Sequence, residues 1–123
     1  MRILLLAVTA IICSYFIDPL VNTRWLCEVS KKHFDVFTFK SNNVIVNYDC
    51  ELDYTFKGKY KISKDTLIIV EKDDSHSESI PELYRYKFLM TKNILYPIVT
   101  EVMINNKWKS NKVSKGYIFK KQK

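Results

Sequence analysis

Residues 44–63 read VIVNYDCELDYTFKGKYKIS: the even positions are apolar almost without a break, and the odd positions are mostly polar or charged. A period of two belongs to an extended chain with one dry face and one wet face; an amphipathic helix does not carry it. A single straight strand of that length is excluded, because strands run to roughly 3–10 residues. The segment must fold back on itself. We place a turn at 50–53 and a sharp bend at Gly58, since a glycine inside a strand marks a corner or a close backbone approach. The even side, from Val44, Val46, Tyr48 and Cys50 to Tyr54, Phe56, Tyr60 and Ile62, is expected to face inward, with Asp49, Glu51 and Asp53 outside.

The same rhythm recurs along the chain. Trp25, Cys27 and Val29 alternate with Arg24, Glu28 and Ser30. FDVFTFK at 34–40 changes parity between Val36 and Phe37, which requires a bulge or a strand covered on both faces. TLIIVEK at 66–72 reads as a mostly buried strand, and in LYRYKFLM at 83–90 Tyr84, Tyr86, Phe88 and Met90 face away from Arg85 and Lys87. Pro97 lacks a ladder donor and implies an edge or a break, with further runs at 99–104 and 115–120. SNN, SKD, TKN and NNK supply turns, because a chain with two glycines must make them from Asn, Asp, Ser and Lys. KDDSHSES at 72–79 is the longest loop.

About eight short strands, little helix, and curvature devices at Val36, Gly58 and Gly116 predict an all-β antiparallel sheet curled into a closed or nearly closed barrel, with a two-sheet sandwich as the alternative. The 123 residues are enough for one domain. We place it at 20–123, behind a leader at 1–19.

That leader opens MRILLLAVTAIICSYF, a single arginine followed by an apolar run and then small residues. This is the anatomy of an export signal. A membrane span needs about 20 apolar residues, and Asp18 and Pro19 close the run early. The pattern also resembles bacterial lipoprotein signals, in which the cysteine after the apolar run becomes lipidated; that would be Cys13, tethering the domain to a membrane without spanning it. Ordinary signal cleavage is the other outcome. Either way the expected location is periplasmic, outer-membrane-associated or extracellular. Cys27 and Cys50 remain as a pair. A disulfide between them would close a loop of about 23 residues and stabilise by about 3 kcal/mol, provided the Cα atoms come within about 7 Å; two separately buried thiols are the alternative.

The net charge of +7 favours acidic partners or anionic surfaces. Lys57, Lys59 and Lys61 form an outward stripe about 13 Å long if extended. With Lys107 and Lys109 flanking Trp108 near a turn, and Lys112 and Lys115 beyond, they make the candidate partner surface, Trp108 being its exposed anchor. An export signal and the lack of an aromatic-basic RNA motif argue against nucleic acid.

No catalytic motif is present. His33 and His76 are the only imidazoles and neither sits in a recognised pattern, while two glycines cannot build most phosphate- or dinucleotide-binding loops. DDSHSE at 73–78 lacks the spacing of a calcium loop and reads as a solvated hairpin. The expectation is a non-enzymatic protein with no metal and no cofactor.

With LVNTRW at 20–25, GKYKISKDTLIIV in mid-domain and GYIFKK near the end, the chain resembles the small exported lipocalin-like proteins of bacteria, within the calycin group. Trp25 takes the place of the first-strand tryptophan, and Lys120 or Lys121 stands where lipocalins often carry an arginine that stacks on it. The resemblance implies an eight-stranded barrel whose mouth or lumen holds one small apolar ligand. Trp25, Tyr54, Phe56, Tyr60, Tyr84, Tyr86 and Phe88 are the candidate interior residues, either lining a cavity or filling the core. The alternative function is an inhibitor or immunity protein that binds an acidic protein through the lysine surface, with a filled barrel. A monomer is expected in both cases.

Overall fold

A computed structural model of the chain describes residues 18–74, 82–111 and 117–123. It is all-β, with nine strands among the described residues: β1 (Arg24–Ser30), β2 (His33–Phe39), β3 (Val44–Asp49), β4 (Tyr54–Ser63), β5 (Thr66–Asp73), β6 (Glu82–Met90), β7 (Ile94–Ile104), β8 (Lys107–Asn111) and β9 (Phe119–Lys121). Each strand from β1 to β7 pairs antiparallel with the next, and β9 joins β7 back to β1, so eight strands close into a barrel and β8 is an extra strand. β8 and β9 share the edge of β7 opposite β6. The closed barrel is compatible with the lipocalin-like fold, and closure removes the sheet edges that would otherwise recruit other chains.

Asparagine and aspartate do in the turns what glycine does elsewhere. Asn42 and Asn43, and again Asn105 and Asn106, have φ between 51° and 62°. Paired positive φ values are the signature of the tight hairpin turn whose twist matches the flanking strands.

The turn at 50–53 forms where expected, and Asp49 Oδ1 accepts the Glu51 and Leu52 N–H groups, both at 3.0 Å. It also corrects the inward assignment of the even side before it. On β3 the inner positions are Ile45 and Asn47, whereas on β4 they are Phe56 and Tyr60. The turn, with Asp53 at positive φ, resets the parity. Val44, Val46 and Tyr48 therefore lie on the outer face, paired with Lys59, Lys57 and Thr55.

Four other expectations are corrected or resolved. β2 has no bulge at Val36: its register with β1 is regular from Phe34 to Thr38, the one shift falling between Glu28 and Ser30, and the inward residue is Asp35, followed by Phe37 and Phe39. Of the edge or break expected at Pro97 the edge is what forms: β7 runs through it, between its pairings with β9 at Ile94 and Leu95 and with β8 from Thr100, and absorbs the irregularity as a register shift opposite Lys87 and Phe88. The run after Asn106 begins at once as β8, and the run expected at 115–120 ends in β9, with Lys115 and Gly116 lying outside the described residues. Gly58 is a close approach, not a corner: a Cβ there would sit 2.6 Å from the Val70 carbonyl oxygen and 3.0 Å from Glu71 Cβ.

The interior has two layers. The apolar layer is closed at one end by residues 18–23, where Leu20 is buried, the Tyr60 hydroxyl donates to Asp18, and Trp25 Nε1 donates to Thr23 Oγ1 at 2.8 Å. Within it Phe37 stacks on Phe119 with centroids 3.8 Å apart, Phe88 meets both edge-on, and Phe39 meets Tyr60 edge-on at 5.0 Å. Aliphatic side chains Ile45, Leu67, Ile69 and Leu95 fill the rest. Toward the other end the inward positions become polar.

Candidate functional site

The polar layer grows out of ordinary strand alternation. On β5 the inward positions are Leu67, Ile69 and Glu71, so the period that buries two aliphatic side chains also buries a carboxyl group. Glu71 is 4% exposed. Its Cα partner on β4 is Gly58, whose own partner on β3 is Ile45. With no side chain at Gly58, Asn47 of β3 reaches over β4, and its Nδ2 donates to Glu71 Oε2 at 3.1 Å and Oε1 at 3.3 Å. The Tyr86 hydroxyl on β6 donates to the same carboxylate.

These bonds do not offset burial. Desolvation pushes the Glu71 carboxyl up to about 7, against the pull of Asn47 and Tyr86 and with a further push from Asp73 and Asp49. The Tyr86 hydroxyl is raised well above its usual range by burial first and by Glu71 next. Asn47 is 6% exposed, and among the described residues its Oδ1 is the one buried side-chain nitrogen or oxygen without a hydrogen-bond partner.

A second buried carboxylate, Asp35, has hydrogen bonds on both of its oxygens. Asp35 Oδ2 accepts the Tyr117 hydroxyl at 2.7 Å and Oδ1 accepts the Cys50 N–H at 2.9 Å. Asp35 is the cross-strand partner of Cys27 and also hydrogen-bonds the Cys50 thiol. The expected disulfide is therefore not made: both thiols are free, one on each side of Asp35. Burial raises each of them to about 11, with Asp35 adding to the effect, so neither is an activated nucleophile at neutral pH.

Around Glu71 and Asn47 opens a cleft of about 190 Å³, lined also by Asp49, Leu52, Phe56, Asp73, Tyr84, Tyr86 and Tyr117. Tyr84 and Tyr86 lie parallel with centroids 6.3 Å apart, and Tyr54 at the rim packs on Phe56 and donates to Asp74 at 3.0 Å. No lysine or arginine lines this cleft among the described residues. The protein is strongly basic, yet the described lining of this cleft is acidic.

The seven interior candidates thus separate. Phe56, Tyr84 and Tyr86 line the cleft with Tyr54 at its edge, whereas Trp25, Tyr60 and Phe88 belong to the packed apolar layer. Of the other cleft residues, Asn47, Glu71 and Tyr117 were not singled out from the sequence, Asp49 was expected outside and instead lines the cleft, and Asp73, read as part of a solvated hairpin, ends β5 at its wall. A larger hollow of about 430 Å³ lies at the closed end between Asp18, Pro19, Tyr60, Ile62 and Met90. Its Asp18 carboxylate already accepts Tyr60 and the Leu20 N–H, so it holds no unmet polar group of this kind.

On the outer face Lys57, Lys59 and Lys61 are exposed along β4, and Lys107 and Lys109 along β8. Trp108 is not a free anchor. The Arg85 guanidinium lies 4.4 Å over its ring while forming a fork of two 2.9 Å bonds to Glu101, and Lys87 adds a 3.6 Å contact. Arg85 and its charge hold Glu101 below the usual carboxylate range. His33 is exposed at the start of β2; His76, Lys112, Lys115 and Cys13 lie outside the described residues. Among the described residues no group of three or more His, Cys, Asp or Glu is placed to hold a metal. Comparison with models of known families, with curated proteins and with solved structures finds no match to this chain.

Proposed function

We propose that the chain is a non-enzymatic, exported lipocalin-like binding protein that takes a small ligand at the open end of its barrel. One observation carries this: a carboxyl group and an amide, both more than nine-tenths buried, meet at the floor of an aromatic-walled cleft, and the amide oxygen has no partner. Burying such groups is costly unless something satisfies them, and a binding site is where that cost has a use. The packed apolar layer leaves the polar mouth as the place for a guest, in contrast to the apolar lumen that the resemblance implied. At about 190 Å³ the cleft is below the roughly 300–1,000 Å³ of pockets that enclose drug-sized molecules, which suits one head group.

The test is an amide and side-chain NMR screen of the full chain against small polar compounds. Shifts confined to Asn47, Glu71, Tyr84 and Tyr86 support the proposal; shifts only at Tyr60 and Met90, or none, contradict it. The filled interior also suits the second reading, an inhibitor or immunity protein facing an acidic partner through Lys57, Lys59 and Lys61. Salt-sensitive binding of one purified acidic protein, lost on replacing those lysines by glutamate, would favour it.

A further inference from the structure

We infer that the group seated between Glu71 and Asn47 Oδ1 is a primary ammonium carried by a compact organic ligand. This deepens the proposed function and rests on it. Asn47 turns its donor nitrogen to Glu71, which leaves its acceptor oxygen in need of an N–H or O–H. The Glu71 carboxylate receives Asn47 and Tyr86 and has lone pairs left over, since an ionised carboxylate offers about four acceptor sites. An ammonium group has three donors and no acceptor, so it fills both demands at once and neutralises the charge that makes the site costly.

The walls agree. Phe56, Tyr84 and Tyr86 present aromatic rings, whose faces attract cations, and no lysine or arginine lines the cleft among the described residues. An anion would be repelled by Glu71, Asp49 and Asp73. A hydroxyl could satisfy Asn47 but would leave Glu71 without a countercharge. The small volume disfavours the broad guanidinium fork, and the absence of a third clustered ligand among the described residues disfavours a metal ion.

The groups facing Glu71 set the pH response. They are Asn47 and Asp49 from β3, Asp73 from β5, Tyr84 and Tyr86 from β6, and Tyr117 before β9, whose hydroxyl is held by Asp35 of β2; β4 contributes the neutral Phe56. The tyrosines stay protonated across the neutral range, and Glu71 changes charge there. Ammonium binding requires it ionised and expels its proton. Affinity then rises roughly thirtyfold from pH 5.5 to 8 for a carboxyl near 7.

The experiment titrates the full chain by NMR and calorimetry with 2-phenylethylamine, and with its neutral, anionic and quaternary counterparts 2-phenylethanol, phenylacetate and trimethyl(2-phenylethyl)ammonium. The inference predicts that the primary amine binds at the cleft at least tenfold more tightly than the other three, with the stated pH dependence. Glu71→Gln should cost at least tenfold and flatten that dependence, while Asn47→Leu should lower affinity with the dependence kept; thermal melting verifies that each variant folds. Lys40→Ala, an exposed lysine outside both candidate surfaces, should change nothing. Equal binding of 2-phenylethanol or phenylacetate at the cleft overturns the ammonium but leaves a small-ligand site, and equal binding of the quaternary compound overturns the hydrogen bond to Asn47. No binding of any compound at the cleft overturns both the inference and the small-ligand proposal.

Discussion

Replacing Glu71 by glutamine should make the protein more stable at neutral pH and leave it nearly unchanged in acid. In the folded chain this carboxyl titrates at about 7, against an ordinary value of 4.5 that applies when the chain is unfolded. Between those two pH values the native state holds a proton that the unfolded state has released, so stability falls as pH rises through this window and is flat outside it. The difference corresponds to about 3 kcal/mol, using about 1.4 kcal/mol per pH unit. That is large beside the roughly 5–15 kcal/mol by which domains are stable. Glutamine keeps the shape and an acceptor for Asn47 Nδ2, but it has no charge to bury. Urea unfolding of both proteins at pH 4, 5.5, 7 and 8.5 should show a gap in favour of Glu71→Gln that opens from near zero to about 3 kcal/mol. A gap independent of pH, or a variant less stable than the parent at pH 8.5, would refute the reasoning.

Further outcomes follow from neighbouring features. Gly58→Ala should destabilise by about 1–3 kcal/mol and weaken 2-phenylethylamine binding, because the added methyl meets the Val70 carbonyl, a backbone atom that cannot swing aside, and presses on Glu71; unfolding and titration measure the two effects. Phe37→Ala, which removes the ring stacked between Phe119 and Phe88 in the apolar layer, should cost about 3–5 kcal/mol in the same unfolding assay. Arg85→Ala should cost about 1–3 kcal/mol, because it strips the buried Glu101 carboxylate of two hydrogen bonds, and should shift tryptophan emission to the red as Trp108 loses its cover. Cys27 and Cys50 should resist alkylation in the folded protein at pH 8 and react quickly in urea, with non-reducing mass spectrometry finding both as thiols.

The barrel was legible because its cause is local. Alternation at Trp25 and Cys27, at Phe56 and Tyr60, and at Leu67 and Ile69 names the buried face of each strand without knowledge of its neighbours. The same alternation held the signal for Glu71, two residues past Ile69 on the inward side, and for Asn47, two past Ile45. It went unread because a polar residue ending an apolar run looks like the strand leaving the core. The parity of β3 was obscured in another way: Val44 and Val46 are apolar but face outward, beside Lys59 and Lys57, and only the register across the turn at 50–53 reveals that. Asp35 inverted the reading of β2 for the same reason, a buried acid among outward apolar neighbours. The meeting of Asn47 with Glu71 was beyond reach of the sequence, since it depends on β3 and β5 flanking a strand that carries glycine at the crossing point.

The central claim is that a carboxyl group is held buried in wait for a cation. Carbon-13 NMR of the Glu71 side-chain carboxyl, titrated with and without saturating 2-phenylethylamine, tests it most directly. The account predicts a midpoint near 7 in the free protein that falls by at least two pH units when the amine is bound. A midpoint near 4.5 in the free protein, or one that the amine leaves in place, contradicts it.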